Sequence, residues 1–106
     1  MKIPKRFKLM GQTIEVEYQS DHFRDNGWEG TASYRRNKII LQPNSDAVPL
    51  KPEMLEQTFM HELVHFVLYH SGAAYTGKRD YMHQDEGFVD LTASLLHQAL
   101  TTMEYE

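Results

Sequence analysis

The sequence predicts an α+β fold, in which a small antiparallel sheet packs on a central helix and a second helix follows. Three observations predict it. The N-terminal part contains short alternating segments separated by turns, three prolines then interrupt the chain, and two stretches with helical spacing of apolar residues come last. The chain has 106 residues, 41% of them hydrophobic, with no repeat or linker, so we expect one domain over residues 1–106.

Two hairpins are predicted in the N-terminal part. Residues 7–10 and 13–18 flank a turn at Gly11 and Gln12, and apolar residues alternate with glutamates in the second segment. Residues 31–35 and 38–41 flank a two-residue connection and form the second predicted hairpin. Residues 21–30 show no clear period and remain open between a loop and a short helix.

Two helices are predicted in the C-terminal part. Pro43, Pro49 and Pro52 exclude regular structure over about ten residues before the first helix. Residues 53–70 form a central, largely buried helix, because apolar residues recur at steps of three and four: Leu55, Phe59, Leu63, Phe66 and Val67. Residues 85–103 form the second helix, with a predicted core stripe of Val89, Leu96, Leu100 and Met103.

Composition and charge exclude several classes of function. The net charge of -4 argues against binding of nucleic acid, because phosphate binding requires a cationic surface. The absence of cysteine excludes disulfides and thiolate metal sites. No signal-peptide core and no apolar run of membrane-spanning length are present, so we expect a cytoplasmic protein without a membrane partner.

The segment from His61 to His65 has the form H-E-x-x-H and lies inside the first predicted helix. In a helix, residues four apart lie about 40° apart on one face and about 6 Å along the axis. Both imidazoles can therefore reach one ion. Glu62 lies beside this face, where its carboxylate can take a proton from an activated water but does not readily bind the metal.

A catalytic zinc site needs three protein ligands and one open position. The identity of the third ligand therefore decides which class of zinc site this chain could form. A metzincin would have histidine where this chain has Ser71, and that class is excluded. His70 lies about 140° round the helix from His65 and does not easily face the same ion. Glu86 is the better candidate because Asp90 follows one turn later on the same face, while Asp85 and His83 stay open as alternatives. His97 is expected to be structural.

The Glu86-x3-Asp90 pattern resembles that of the gluzincins, and residues 86–96 are similar to the glutamate helix of the ImmA/IrrE group and of minimal gluzincins of about this length. The resemblance covers residues 55–100. It implies a zincin-like fold in which a C-terminal helix supplies Glu86 as the third ligand. It also implies that Asp90 forms a hydrogen bond with His61.

The predicted function is that of a zinc metallopeptidase acting on a peptide or protein substrate. Zn²⁺ is the expected cofactor, bound by His61, His65 and Glu86, and Glu62 is the expected general base. The loop between the helices contains three candidates for stabilising the oxyanion: Tyr75, Tyr81 and His83. An edge strand at residues 38–41 is expected to align an extended peptide by backbone pairing.

Two alternatives belong to other classes. The first is a proteolytically silent zinc-binding module with a regulatory or interaction role, for example of phage origin. The second is a helix-hairpin domain without metal. Metal content separates the second alternative from the other two hypotheses, and cleavage of an unstructured protein separates the peptidase from the silent module.

Overall fold

A four-stranded sheet and two helices make up the α+β fold of the computed structural model, which describes residues 1–19, 30–45, 48–71 and 85–106. In chain order the strands are β1 (Arg6–Leu9), β2 (Gln12–Tyr18), β3 (Gly30–Ser33), β4 (Lys38–Leu41), β5 (Asn44–Ser45) and β6 (Val48–Pro49). The helices are α1 (Pro52–His70) and α2 (Glu86–Thr102). Neither helix combines the length and apolarity needed to cross a bilayer, and this holds for the described residues alone.

The two predicted hairpins are present, with turns that differ slightly from those expected. Met10 and Gly11 form the first turn, one residue earlier than predicted, and both have positive φ angles, of 51° and 76°. Positive φ at both central residues is typical of the two-residue turn that matches the twist of a hairpin. In the second hairpin the connection has four residues, 34–37, and its last residue, Asn37, also has positive φ.

The sheet is mixed, so the prediction of an antiparallel sheet was wrong. The strand order is β1-β2-β4-β3, and β2 pairs in parallel with β4 from Glu15↔Lys38 to Tyr18↔Leu41. Burial explains this order. Three consecutive residues of β4 are buried, which suits a strand with a neighbour on each side, whereas β3 consists of Gly, Thr, Ala and Ser and takes the edge.

The expectation that residues 38–41 form an edge strand is therefore also wrong. β4 lies between β2 and β3, and its backbone groups pair with both neighbours. The edges of the described sheet are β1 and β3. The proline-containing stretch is less irregular than expected, because β5 and β6 form a short antiparallel pair before α1 begins at Pro52.

One face of the sheet packs against α1 to form the core. The edge of the Phe7 ring meets the Phe59 ring, with the ring centroids 6.1 Å apart. The core combines residues of the sheet, α1 and α2: Ile14, Val16, Ile39, Leu41, Phe59, Met60, Val64, Phe66, Val89 and Ala93. α1 is less uniformly buried than predicted, since Val67 is exposed.

Gly30 brings β3 unusually close to α1. A Cβ atom at this position would lie 2.6 Å from Cγ2 of Thr58 and 3.4 Å from Cγ of Glu62. Real Cβ contacts do not reach the shorter distance, so only glycine fits here without a shift of the helix. The close approach places the start of β3 beside Thr58 and Glu62 of α1.

α2 begins at an N-cap and packs on α1 through a face that overlaps the predicted core stripe only at Val89. The Asp85 carboxylate accepts a hydrogen bond from the Phe88 backbone N–H at 3.0 Å. Of the predicted core stripe only Val89 is buried, while Leu96, Leu100 and Met103 are exposed. The reason is that Glu86, Ala93 and His97 face α1, which rotates the leucines away from it.

Candidate metal centre

His61 and His65 lie one turn apart on α1, with their ring centroids 4.9 Å apart and the ring planes at 69° to each other. The His65 side chain is almost fully buried, and that of His61 is about one fifth exposed. The proximity of the two rings follows from the helix geometry, because residues four apart share a face. The two imidazoles point towards the first turn of α2.

Glu86 reaches this pair from the first turn of α2. Its Oε2 lies 2.8 Å from Nε2 of His61, and its Oε1 lies 3.0 Å from Nε2 of His65. One potential ligand atom from each of the three side chains lies within 4.8 Å of the other two. Within the described residues, this is the group of His, Asp and Glu side chains that converges closely enough to hold an ion.

The donor set of this group fits zinc. Two imidazole nitrogens and one carboxylate are a ligand set found in catalytic zinc sites, which leave one position open for water. Calcium and magnesium prefer oxygen ligands, so two histidines among three donors disfavour them. A zinc ion bound here would link α1 to α2.

Asp90 lies one turn beyond Glu86 and contacts the other nitrogen of His61. The distance from Asp90 Oδ1 to His61 Nδ1 is 3.3 Å. With the ring proton on Nδ1 and donated to Asp90, the lone pair of Nε2 faces Glu86 and is available to a metal ion. The Asp90 side chain is otherwise well exposed to solvent.

The Glu62 carboxyl group is buried between α1 and β3, with the residue only 5% exposed. Burial raises the pKa of Glu62 to about 7, the neighbouring His61 lowers it, and Glu86 raises it further. A carboxyl group with this pKa can both accept and return a proton near neutral pH. Glu62 does not belong to the converging group of three.

Tyr34 is a neighbour of the site that the sequence did not single out. Its ring stacks on Tyr69, with centroids 4.4 Å apart, and meets the edge of Phe66. Burial raises the pKa of Tyr34, and the negative charges of Glu62 and Glu86 raise it further. No local sequence signal marks Tyr34, because its position depends on how the β3–β4 turn packs against α1.

The remaining candidate residues lie apart from the group or outside the described residues. His70 packs against the Phe66 ring, at a centroid distance of 6.1 Å, and is not in the converging group. His97 contacts Glu56 Oε1 at 3.1 Å. The three oxyanion candidates, Tyr75, Tyr81 and His83, lie outside the described residues.

Comparison with family models, curated proteins and solved structures gives no match for this chain. The functional assignment therefore depends on the residues of the site and their geometry.

Proposed function

We propose that this protein is a zinc-dependent metallopeptidase. The convergence of His61, His65 and Glu86 from two helices carries the proposal, because it assembles the ligand set of a catalytic zinc site. The position of Glu62, beside the two histidines and not among the ligands, supports peptide hydrolysis over a purely structural metal site. The relationship to gluzincins and the zincin-like description of the fold are parts of the same proposal.

Zinc, when bound, would polarise a water molecule and the scissile carbonyl group, which lowers the barrier to attack. Glu62 accepts one proton from the attacking water and later delivers it to the leaving amine, so the carboxylate is regenerated at the end of the cycle. The raised pKa of Glu62 suits both transfers, since neither protonation state is strongly favoured near neutral pH. Asp90 holds the His61 ring in the orientation that directs Nε2 towards the site.

β3 is the strand that we expect to align a substrate, in place of β4. It is an edge of the described sheet and lies against α1 beside Glu62. An extended peptide can add to such an edge through backbone hydrogen bonds. The scissile bond would then run past the H-E-x-x-H segment.

A proteolytically silent zinc-binding module remains the second candidate, and the burial of Glu62 favours it. A base that is 5% exposed has little access to water unless the site opens. In that case the metal would join the two helices, and Glu62 would be a buried acid without a catalytic role.

Two measurements on Glu62→Gln separate the candidates. The amide keeps the size of the side chain but cannot accept the proton, so the variant should retain about one zinc per chain and lose hydrolysis of casein or a quenched fluorescent peptide. Glu53→Gln is the matched control, because it makes the same change in the exposed first turn of α1 and should keep wild-type activity.

Four outcomes would contradict the peptidase proposal in different ways. Wild-type hydrolysis in Glu62→Gln would rule out Glu62 as base. Zinc without any hydrolysis in the wild-type protein would support the silent module. Wild-type protein without stoichiometric zinc, or His65→Ala with undiminished zinc affinity, would remove the metal site itself.

A further inference from the structure

α2 has more apolar surface than α1 covers. Among the described residues, α1 contacts the side of α2 that contains Val89, Ala93 and His97. Leu91 and Leu95 are 62% and 59% exposed. Five exposed residues form what we call the outer apolar face: Phe88, Leu91, Leu95, Leu96 and Leu100.

The outer apolar face is wider than a surface helix requires. At 100° per residue, the positions from Leu91 through Leu95 and Phe88 to Leu100 span an arc of about 180°. Val89 lies inside this arc and Ala93 about 20° beyond Leu100, so the apolar positions together occupy about 200° and leave a polar sector of less than half the helix circumference. A helix that only covers its own core needs an apolar stripe of about 100°, so this width is typical of a helix that packs on two sides.

The charge of the same segment indicates what kind of partner fits. Residues 85–106 contain five acidic residues and no Lys or Arg. The preceding 84 residues contain all 11 Lys and Arg and 10 of the 15 acidic residues, so the net negative charge of the chain resides in this C-terminal segment. An apolar face within an acidic segment is complementary to a partner with an apolar face flanked by basic residues.

We propose that the outer apolar face binds a basic amphipathic helix of another protein. A second copy of this chain is a poorer partner, because two acidic segments without Lys or Arg would repel each other. Nucleic acids and anionic membranes are disfavoured for the same reason. The partner helix would pack its apolar face on Leu91 and Leu95. Its Lys and Arg side chains would lie near the three acidic residues of the segment that are outside the candidate metal centre, Asp85 at its start and Glu104 and Glu106 at its end.

This surface is distinct from the candidate metal centre. The outer apolar face shares no residue with the candidate metal centre or with its neighbours Glu62 and Asp90. Leu91 and Leu95 lie on the opposite side of α2 from Glu86. Binding should therefore persist both with zinc and with a chelator, because zinc held by Glu86 would leave Leu91 and Leu95 accessible. Failure of the peptidase proposal would leave this inference unaffected.

A pair of model peptides tests the proposal with the wild-type chain. One is an 18-residue labelled peptide with leucine at helical core spacing and lysine elsewhere, and the other has glutamate in place of every lysine. Fluorescence anisotropy should show that the lysine peptide binds at least about tenfold more tightly, and that this preference shrinks as the salt concentration rises from about 0.1 M to about 0.5 M.

Variants of the face then locate the binding site. Leu91→Gln and Leu95→Gln, made separately and together, keep the charge and should weaken binding of the lysine peptide by about tenfold for the double variant. Both side chains are mostly exposed, so the variants should fold, as circular dichroism and thermal melting will verify. Val67→Gln on α1 is the matched control, because Val67 is also exposed and its replacement should change binding less than about twofold.

Three results would overturn the proposal. Equal binding of both peptides would show that the partner is not selected by its positive charge. Undiminished binding to the double variant would show that the peptide does not bind at the outer apolar face. A wild-type dimer in sedimentation velocity that Leu91→Gln and Leu95→Gln convert to monomer would assign the face to a second copy of the chain.

Discussion

The Glu62 carboxyl group illustrates how the fold modifies a single residue. Transfer from water into the narrow space between α1 and β3 disfavours its charged form, and the nearby Glu86 carboxylate does so as well. The His61 ring opposes both effects. The resulting pKa of about 7 has a consequence for stability that can be measured without knowing the substrate.

We expect burial of Glu62 to destabilise the metal-free protein as the pH rises. Between pH 4.5 and about 7 the folded state keeps a proton that the unfolded state has lost, so stability falls across this window. The total effect is up to roughly 3 kcal/mol. Glu62→Gln does not titrate, so urea unfolding in a chelator should show the variant gaining stability relative to wild type between pH 4.5 and pH 8. A difference that is constant over this range would contradict the raised pKa.

Glu86 and Asp90 should differ in how much zinc affinity they contribute. Partners that orient a ligand typically contribute about 10- to 100-fold, so Asp90→Ala should weaken zinc binding by about this factor through loss of its contact with His61. Glu86→Ala should weaken it more, because it removes a ligand. Competition with a chromophoric chelator measures both variants, with Glu104→Ala as an acidic control outside the site.

If neither substitution weakens zinc binding, Glu86 and Asp90 are acidic residues at the start of a helix without a role in metal binding. Both substitutions would then leave zinc affinity within about twofold of wild type and change stability by a few tenths of a kcal/mol. The third ligand would have to be sought at Asp85 or His83.

At the level of elements, the contact between β3 and α1 depends on a glycine and a threonine. Gly30→Ala would place Cβ against Cγ2 of Thr58, and the Thr58 hydroxyl donates to the Met54 carbonyl at 2.9 Å, which holds the side chain in this rotamer. We expect a loss of about 1 to 3 kcal/mol in the free energy of unfolding.

A second substitution tests whether that contact is the cause. Thr58→Ser removes Cγ2 but keeps the hydroxyl, so the Gly30→Ala, Thr58→Ser double variant should recover most of the lost stability. Urea unfolding of the four proteins of the cycle provides the measurement. Additive effects of the two substitutions would show that Gly30 matters for another reason.

Elements defined by local pattern could be predicted, and those defined by distant pairing could not. Both helices and both hairpins follow from spacing within each segment, and their bounds differ from the predicted ones by about one or two residues. In the second hairpin either β3 or β4 could pair with β2, and both pairings join residues that are distant in the sequence. The burial of Ile39, Ile40 and Leu41 favours β4 as the strand next to β2. Local alternation carries no information about that choice.

The same distinction applies to the site. His61 and His65 could be paired from their spacing alone, because one helical turn brings them together. Glu86 is 21 residues beyond His65, so helix geometry could not pair it with the histidines, and its selection depended on the spacing to Asp90 and on resemblance to a family. Tyr34 approaches Glu62 only through tertiary packing, so no reading of its own segment would have found it.

For the whole molecule, the important question is what joins α2 to the rest. Val89 and Ala93 supply the buried apolar contact, and His97 contacts Glu56, which also pairs with the amino group of Met1 at 3.0 Å. That amino group and His97 lower the pKa of the Glu56 carboxyl group. The candidate metal centre would add a third connection, near the other end of the contact between the helices.

Zinc should therefore stabilise the whole fold by holding α2 against α1. A ligand that binds only the folded state at about 100 times its Kd contributes about 2.7 kcal/mol. For a domain of this size, that corresponds to an increase in Tm of roughly 10 to 20 °C over the protein in a chelator.

His65→Ala should abolish most of this zinc-dependent increase. His97→Ala is the matched control, because it removes the polar contact with Glu56 of α1 and should lower Tm with and without zinc while leaving the increase intact. Differential scanning calorimetry of the three proteins, each with zinc and with a chelator, separates the two connections. An equal zinc-dependent increase in His65→Ala would mean that zinc acts elsewhere on the chain, and loss of the increase in His97→Ala would mean that the metal centre forms only after α2 has docked through its other contacts.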